Sequence, residues 1–202
     1  FSRFNSKTKI QSPVHSVVTE GSKLWIGTYG NGAYKIEKEK KQIINFNENN
    51  GLSNNYVFRI IKDRTGTLWF ATDGGGICKF ESEVFKHYTV QDGLPDNTIM
   101  SIYEDHADNL WFGSHGNGVS KFDGEEFKNF SKQDGLCSNI IYDIAEDKNQ
   151  SIWFASKDRG VSQYKDGRFT NFTKRDGLSS NNVYTIAFDE FDNIWFGTQG
   201  GG

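Results

Sequence analysis

Proline is nearly absent from this 202-residue chain, which has 2, and cysteine (2) and methionine (1) are as rare. Leucine and alanine number only 7 and 6, so strong helix formers are scarce. No apolar run exceeds four residues, which excludes a membrane-spanning helix or a signal-peptide core within these residues. A basic excess is missing: 23 Lys+Arg face 26 Asp+Glu, a net charge of -3, so a nucleic-acid partner is not expected. Cys78 and Cys137 lack motif spacing; neither zinc nor redox chemistry is expected of them, and nothing in the sequence pairs them in a disulfide. What the chain does have is glycine (22) and aromatic residues (15%), the profile of an all-β protein with many glycine turns.

The aromatic residues recur on a beat. Trp25, Trp69, Trp111, Trp153 and Trp195 are spaced by 44, 42, 42 and 42 residues, each preceded by Leu or Ile and followed by Ile or Phe. Gly51-Leu52, Gly93-Leu94, Gly135-Leu136 and Gly177-Leu178, the last three preceded by Asp92, Asp134 and Asp176, step by 42 as well. A glycine-rich turn follows every tryptophan: Gly30-Asn31-Gly32, Gly74-Gly75-Gly76, Gly116-Asn117-Gly118, the relic Asp158-Arg159-Gly160, and Gly200-Gly201-Gly202. Three markers in phase mean one unit copied nearly five times.

Each unit reads as four short antiparallel strands a to d joined by Gly-, Asn- and Asp-rich turns. A four-stranded sheet of about 42 residues is the size of a β-propeller blade. One blade cannot bury both its faces, so the tryptophans, the strand-d residues Phe85, Phe127 and Phe169, and the strand-a residues Ile60, Ile102, Ile144 and Ile186 are expected to pack between blades. The expected layout is a strand d at 1–6, full blades at about 12–47, 54–90, 96–132 and 138–174, and a partial blade at 180–202. The first full blade is two residues short near Gly21-Ser22. Seven blades would need about 294 residues at this period, so the chain is expected to be a fragment of a larger, seven-bladed propeller. A small five-bladed ring closed through its termini is the other reading.

The string Asp176-Gly177-Leu178-Ser179-Ser180-Asn181-Asn182-Val183, followed by Asp192-Asn193-Ile194-Trp195-Phe196-Gly197-Thr198, resembles the two-component regulator propeller repeat, and the resemblance runs along essentially the whole chain. It implies the periplasmic, ligand-sensing part of a bacterial two-component receptor. Such receptors often carry two seven-bladed rings, an immunoglobulin-like domain, a membrane helix and a histidine kinase, and many respond to carbohydrate fragments. The implied partner is a small molecule such as an oligosaccharide, within a homodimer. The membrane is reached only through regions outside this sequence, and no cofactor is implied. The segment itself is not expected to be an enzyme, whereas the full-length protein would carry the kinase.

Comparing units separates frame from variable positions. The residue before each glycine-rich turn differs every time: Tyr29, Asp73, His115, Lys157 and Gln199. These should form one ring at the propeller mouth, joined by Arg159, which replaces a small residue. In strand a, Arg59, Ser101, Asp143 and Thr185 share one slot near the axis. Tyr29, Asp73, His115, Lys157, Arg159, Gln199, Arg59 and Asp143 are the candidate ligand-binding residues, since a varied polar ring over a constant apolar frame is how a recognition surface is built. Asp92, Asp134 and Asp176 are expected to cap or hydrogen-bond the turn that follows them. Nucleophile-elbow, phosphate-loop and calcium-loop patterns are missing, and His15, His87, His106 and His115 lack ligand spacing. Two other readings are a polysaccharide lyase or glycosidase recruiting Asp73, Asp143 and His115, and a protein-interaction scaffold.

Overall fold

A computed structural model of the chain describes residues 10–201. The strand expected at 1–6 lies outside the described residues. Four four-stranded antiparallel sheets follow one another, and a two-stranded sheet comes last. The first holds β1 (Val14–Glu20), β2 (Lys23–Thr28), β3 (Ala33–Glu37) and β4 (Gln42–Phe46). The second holds β5 (Val57–Lys62), β6 (Leu68–Thr72), β7 (Ile77–Glu81) and β8 (Val84–Tyr88). The third holds β9 (Ile99–Glu104), β10 (Leu110–Ser114), β11 (Val119–Phe122) and β12 (Phe127–Phe130). The fourth holds β13 (Ile141–Glu146), β14 (Ile152–Ser156), β15 (Gly160–Lys165) and β16 (Arg168–Phe172). The last pairs β17 (Val183–Phe188) with β18 (Ile194–Thr198). The first strands of successive sheets, β1, β5, β9, β13 and β17, neighbour one another, so the sheets fan out from a common inner edge as propeller blades.

Period-two alternation explains the strand sequences. In β10, Leu110 and Phe112 point toward the preceding blade, while Trp111 between them points toward the following one. Both faces are covered, so Leu-Trp-Phe reads as an unbroken apolar run. Each tryptophan stacks on the last aromatic of its own blade: Phe46, Tyr88, Phe130 and Phe172 lie 5.4–5.9 Å from Trp25, Trp69, Trp111 and Trp153. Its other neighbour is a phenylalanine of the next blade (Phe70, Phe112, Phe154 or Phe196) at 5.5–6.2 Å. Ile60, Ile102, Ile144 and Ile186 are buried in these interfaces, and Phe85, Phe127 and Phe169 pack at their edges, as the repeat predicts. Trp195 departs from the pattern: it is 63% exposed, with no blade against its outer face among the described residues.

The small residue two positions after each tryptophan is set by close approach. A Cβ on Gly113 would lie 2.4 Å from Ser101 Oγ and 2.9 Å from Ile141 Cγ2, and one on Gly27 would lie 2.8 Å from Val57 Cγ1. Strand a of the next blade passes directly over this point. Cys78 and Cys137 are both free thiols. Between blades the chain makes one turn of 3-10 helix, at Glu48–Asn50, Val90–Asp92, Lys132–Asp134 and Lys174–Asp176, each closed by a left-handed glycine.

Candidate functional site

The repeated motifs resolve into a hydrogen-bond frame. Asp92, Asp134 and Asp176 reach back, not forward as expected from sequence: each carboxylate accepts from the backbone N–H and the hydroxyl of Thr89, Ser131 or Thr173, three residues earlier, closing a capping box. The Ser131 N–H and hydroxyl hold the Asp134 carboxyl below its ordinary value. Asn50 does the same for Asn47, so the unit that lacks the aspartate keeps the bond. The asparagine of Gly-Leu-x-x-Asn works twice. Its side-chain oxygen caps the first N–H of the 3-10 turn, as Asn97 does for Val90 and Asn139 for Lys132. Its backbone carbonyl accepts from the last glycine of the preceding blade's turn: Gly32 to Asn55, Gly76 to Asn97, Gly118 to Asn139 and Gly160 to Asn181, at 2.7–2.9 Å.

At the opposite end of the blades, an acid precedes each tryptophan. Asp63, Asp105, Asp147 and Asp189, each six residues earlier, accept the indole N–H, and Glu20, five residues earlier, serves Trp25 across a turn one residue shorter. Burial opposes ionisation of Asp105, but the bonds from Trp111, Asn109 and Ala107 outweigh it and hold the carboxyl below its ordinary value. This aspartate also keeps the 42-residue beat, and its spacing was the signal that would have found it. Clasps between blades lie at the same end: Arg64 donates to the Asp105 carbonyl and to Asp108, His106 meets Glu146, and Lys148 meets Asp192.

Four segments, residues 51–74, 93–116, 135–158 and 177–200, match the family model for the two component regulator propeller. The chain is built from two-component regulator propeller repeats. Solved structures agree with this. The extracellular domain of a hybrid two component system from B. thetaiotaomicron is similar at 25% identity and a TM-score of 0.82, over 93% of this chain and 27% of that one. A second such domain from B. thetaiotaomicron has 23% identity and a TM-score of 0.79, over 96% and 27%. Virginiamycin B lyase from Staphylococcus aureus shares the fold at 17% identity and a TM-score of 0.74, over 92% and 63%. The regulator-propeller chain thus spans just over a quarter of the length of the two-component domains. No curated protein matches it.

In this regulator propeller, the positions that vary between repeats gather at the end where the glycine-rich turns lie. The backbone N–H groups of Tyr29, Asp73, His115, Lys157 and Gln199 each donate to the carbonyl just before strand a of their own blade, at 2.9–3.2 Å, so the five positions are equivalent. Their side chains have different surroundings. Asp73 accepts from Thr98 Oγ1 across the blade boundary at 3.2 Å. Gln199 Oε1 accepts from Asn182 Nδ2 and Tyr184 Oη. His115, Lys157 and Arg159 are exposed, with no side-chain partner among the described residues. Asp158 takes the left-handed conformation in which a glycine stands in most units.

The strand-a slot divides in the same way. Asp143 Oδ2 accepts from Thr185 Oγ1 (2.8 Å) and the Ile186 N–H (3.0 Å), tying the fourth blade to the last. Ser16 makes the matching bond with the Ile60 N–H at 2.9 Å. Ser101 is buried, and Arg59 is exposed.

Sequence comparison missed the row beside this slot. Every strand a carries a β-bulge, and the extra residues are His15, Phe58, Met100, Tyr142 and Tyr184. A bulge turns its side chain out of the alternating pattern. The result is two aromatic clusters at the mouth. In the first, His15 stacks on Tyr29 at 5.3 Å, with Tyr56 4.6 Å and Phe58 6.1 Å from Tyr29. In the second, Tyr142 and Tyr184 stack at 4.7 Å and 17°. Burial, and then Tyr184 beside it, pushes the Tyr142 phenol up, so it stays neutral. Tyr29, Tyr56 and Tyr184 are 40–45% exposed, leaving ring faces and hydroxyls open to a ligand. Among the described residues no helix is long and apolar enough to cross a membrane, and no cluster of His, Cys, Asp and Glu could hold a metal ion.

Proposed function

We propose that this chain is part of the periplasmic, ligand-sensing propeller of a bacterial two-component receptor, binding a small carbohydrate at the mouth and carrying out no chemistry on it. The observation that carries this reading is the pair of exposed aromatic clusters, His15/Tyr29/Tyr56/Phe58 and Tyr142/Tyr184, set among the residues that vary between repeats. Aromatic faces stack on the C–H faces of sugar rings, while phenol and amide groups satisfy the hydroxyls. Neighbours that are extracellular domains of hybrid two component systems support the receptor setting. In this reading the receptor is a homodimer, ligand binding reorients it, and a kinase outside this chain reads the change.

The test is calorimetric titration of the chain with a panel of neutral and charged oligosaccharides. One class should bind without turnover, and Tyr29→Ala should weaken it at least about tenfold, the scale of a lost aromatic contact. Product release from any member, or binding unaffected by Tyr29→Ala and Tyr184→Ala together, overturns the reading.

A further inference from the structure

Several cations among the described residues are neutralised by ion pairs. Lys35 is paired with Glu37 and Glu83, Lys79 with Glu81, Arg64 with Asp108, and Lys148 with Asp192. Arg59 and Lys62 are among those that are not, and they share a cavity. Between the inner strands β1 and β5 lies an open cavity of about 360 Å³, with His15, Arg59 and Lys62 in its lining and no carboxylate. All three side chains are exposed. Neither Arg59 nor Lys62 has an ion pair or a side-chain hydrogen bond among the described residues. In a chain with net charge -3, an uncompensated positive wall is a local departure from the average.

The cavity adjoins the first aromatic cluster. His15 belongs to both, lining the cavity and stacking on Tyr29, and Phe58 of the cluster is the chain neighbour of Arg59. Arg59 also occupies the slot where Ser16 and Asp143 tie blades together, yet it makes no such bond. The scaffold therefore leaves its guanidinium free. A guanidinium offers a planar fork that matches two oxygens of a carboxylate or sulfate.

We infer that the ligand of this mouth carries an anionic oxygen group, carboxylate or sulfate, bound by Arg59 with Lys62 and His15 behind it, while its ring lies on the Tyr29/Tyr56/Phe58 platform. This rests on the sensing function proposed above and adds to it the charge of the ligand. An acidic oligosaccharide fits both halves of the site; a neutral one fits only the aromatic half.

The experiment is titration of the chain with three trisaccharides of one linkage: a galacturonate trimer, the same trimer with its carboxyl groups reduced, and the reduced trimer sulfated. At least one charged trimer should bind at least about tenfold more tightly than the neutral one, with affinity falling as salt rises. Whichever charged trimer wins distinguishes carboxylate from sulfate. Arg59→Gln should abolish the preference without moving the thermal unfolding midpoint, and Arg59→Lys should keep part of it. Equal binding of neutral and charged trimers, or a preference that survives Arg59→Gln, overturns the inference and leaves the sensing function standing. Binding of none of the three at millimolar concentration overturns both.

Discussion

Replacing Asp105 by alanine tests what holds the tryptophan end of each blade together. Asp105 is 3% exposed, and its carboxylate accepts five bonds: from the Trp111 indole (2.8 Å), the Ala107 and Asn109 N–H groups (2.9 Å each), and the Asn109 amide through both oxygens (2.9 Å). Solvent reaches the turn residues and can replace some of these partners after the change. It cannot reach Trp111, which is 1% exposed. One buried indole N–H left unmatched, together with the loss of charge-assisted bonds at the turn, gives about 3–4 kcal/mol of destabilisation. For a domain of this size that lowers the melting temperature by about 10 °C. Asp189→Ala is the matched control. Its carboxylate makes the equivalent bond to Trp195, but that indole is open to water, so the shift should be far smaller. Both are read by urea and thermal unfolding followed by far-UV circular dichroism. Equal shifts for the two variants would refute the argument that burial, and not the bond count, sets the cost.

Other outcomes follow from the same structure. Gly118→Ala should cost far more than Gly124→Ala in urea unfolding: both have positive φ, but only at Gly118 would the new Cβ lie 2.1 Å from the Phe130 carbonyl oxygen. Equal costs would assign the whole effect to backbone strain. In the native protein a thiol reagent should modify Cys137 quickly and Cys78 only after denaturant is added, because burial raises the Cys78 thiol and closes access to it. On acidification, the folded-state carboxyls of Asp105 and Asp147 lie below their ordinary value, and that of Asp189 is pushed down to about 2. Their contribution is complete above the unfolded value near ~4 and is lost as pH falls through the folded values. Urea midpoints should therefore drop between about pH 4 and pH 2, and Asp105→Asn should flatten that slope.

The frame was legible because period-two alternation and the 42-residue beat expose it directly. Trp111 had to face one neighbour and Phe112 the other, and Gly118 is retained even in the form of Gly160, where the rest of that turn has become Lys157-Asp158-Arg159. The direction of the Asp92, Asp134 and Asp176 bonds was not legible, since a carboxylate can bond forward or back along a turn. The bulge row was hidden for a physical reason. His15, Phe58, Met100, Tyr142 and Tyr184 share a position but not a residue type, and a bulge is a matter of pairing register, which appears only once strands are paired. Asp143 shows the converse. As a charged residue in a varied slot it suggests a ligand contact, and pairing adds what the slot alone does not show, a carboxylate that accepts from the Ile186 N–H of the next blade.

The glycine-to-asparagine bonds that join neighbouring units at the mouth run from main chain to main chain and ask nothing of the side chains around them. A unit can therefore be duplicated, or its neighbour's exposed residues exchanged, without renegotiating the joint. Diversity of what is recognised and constancy of the scaffold become separate problems, solved by different atoms a few ångströms apart.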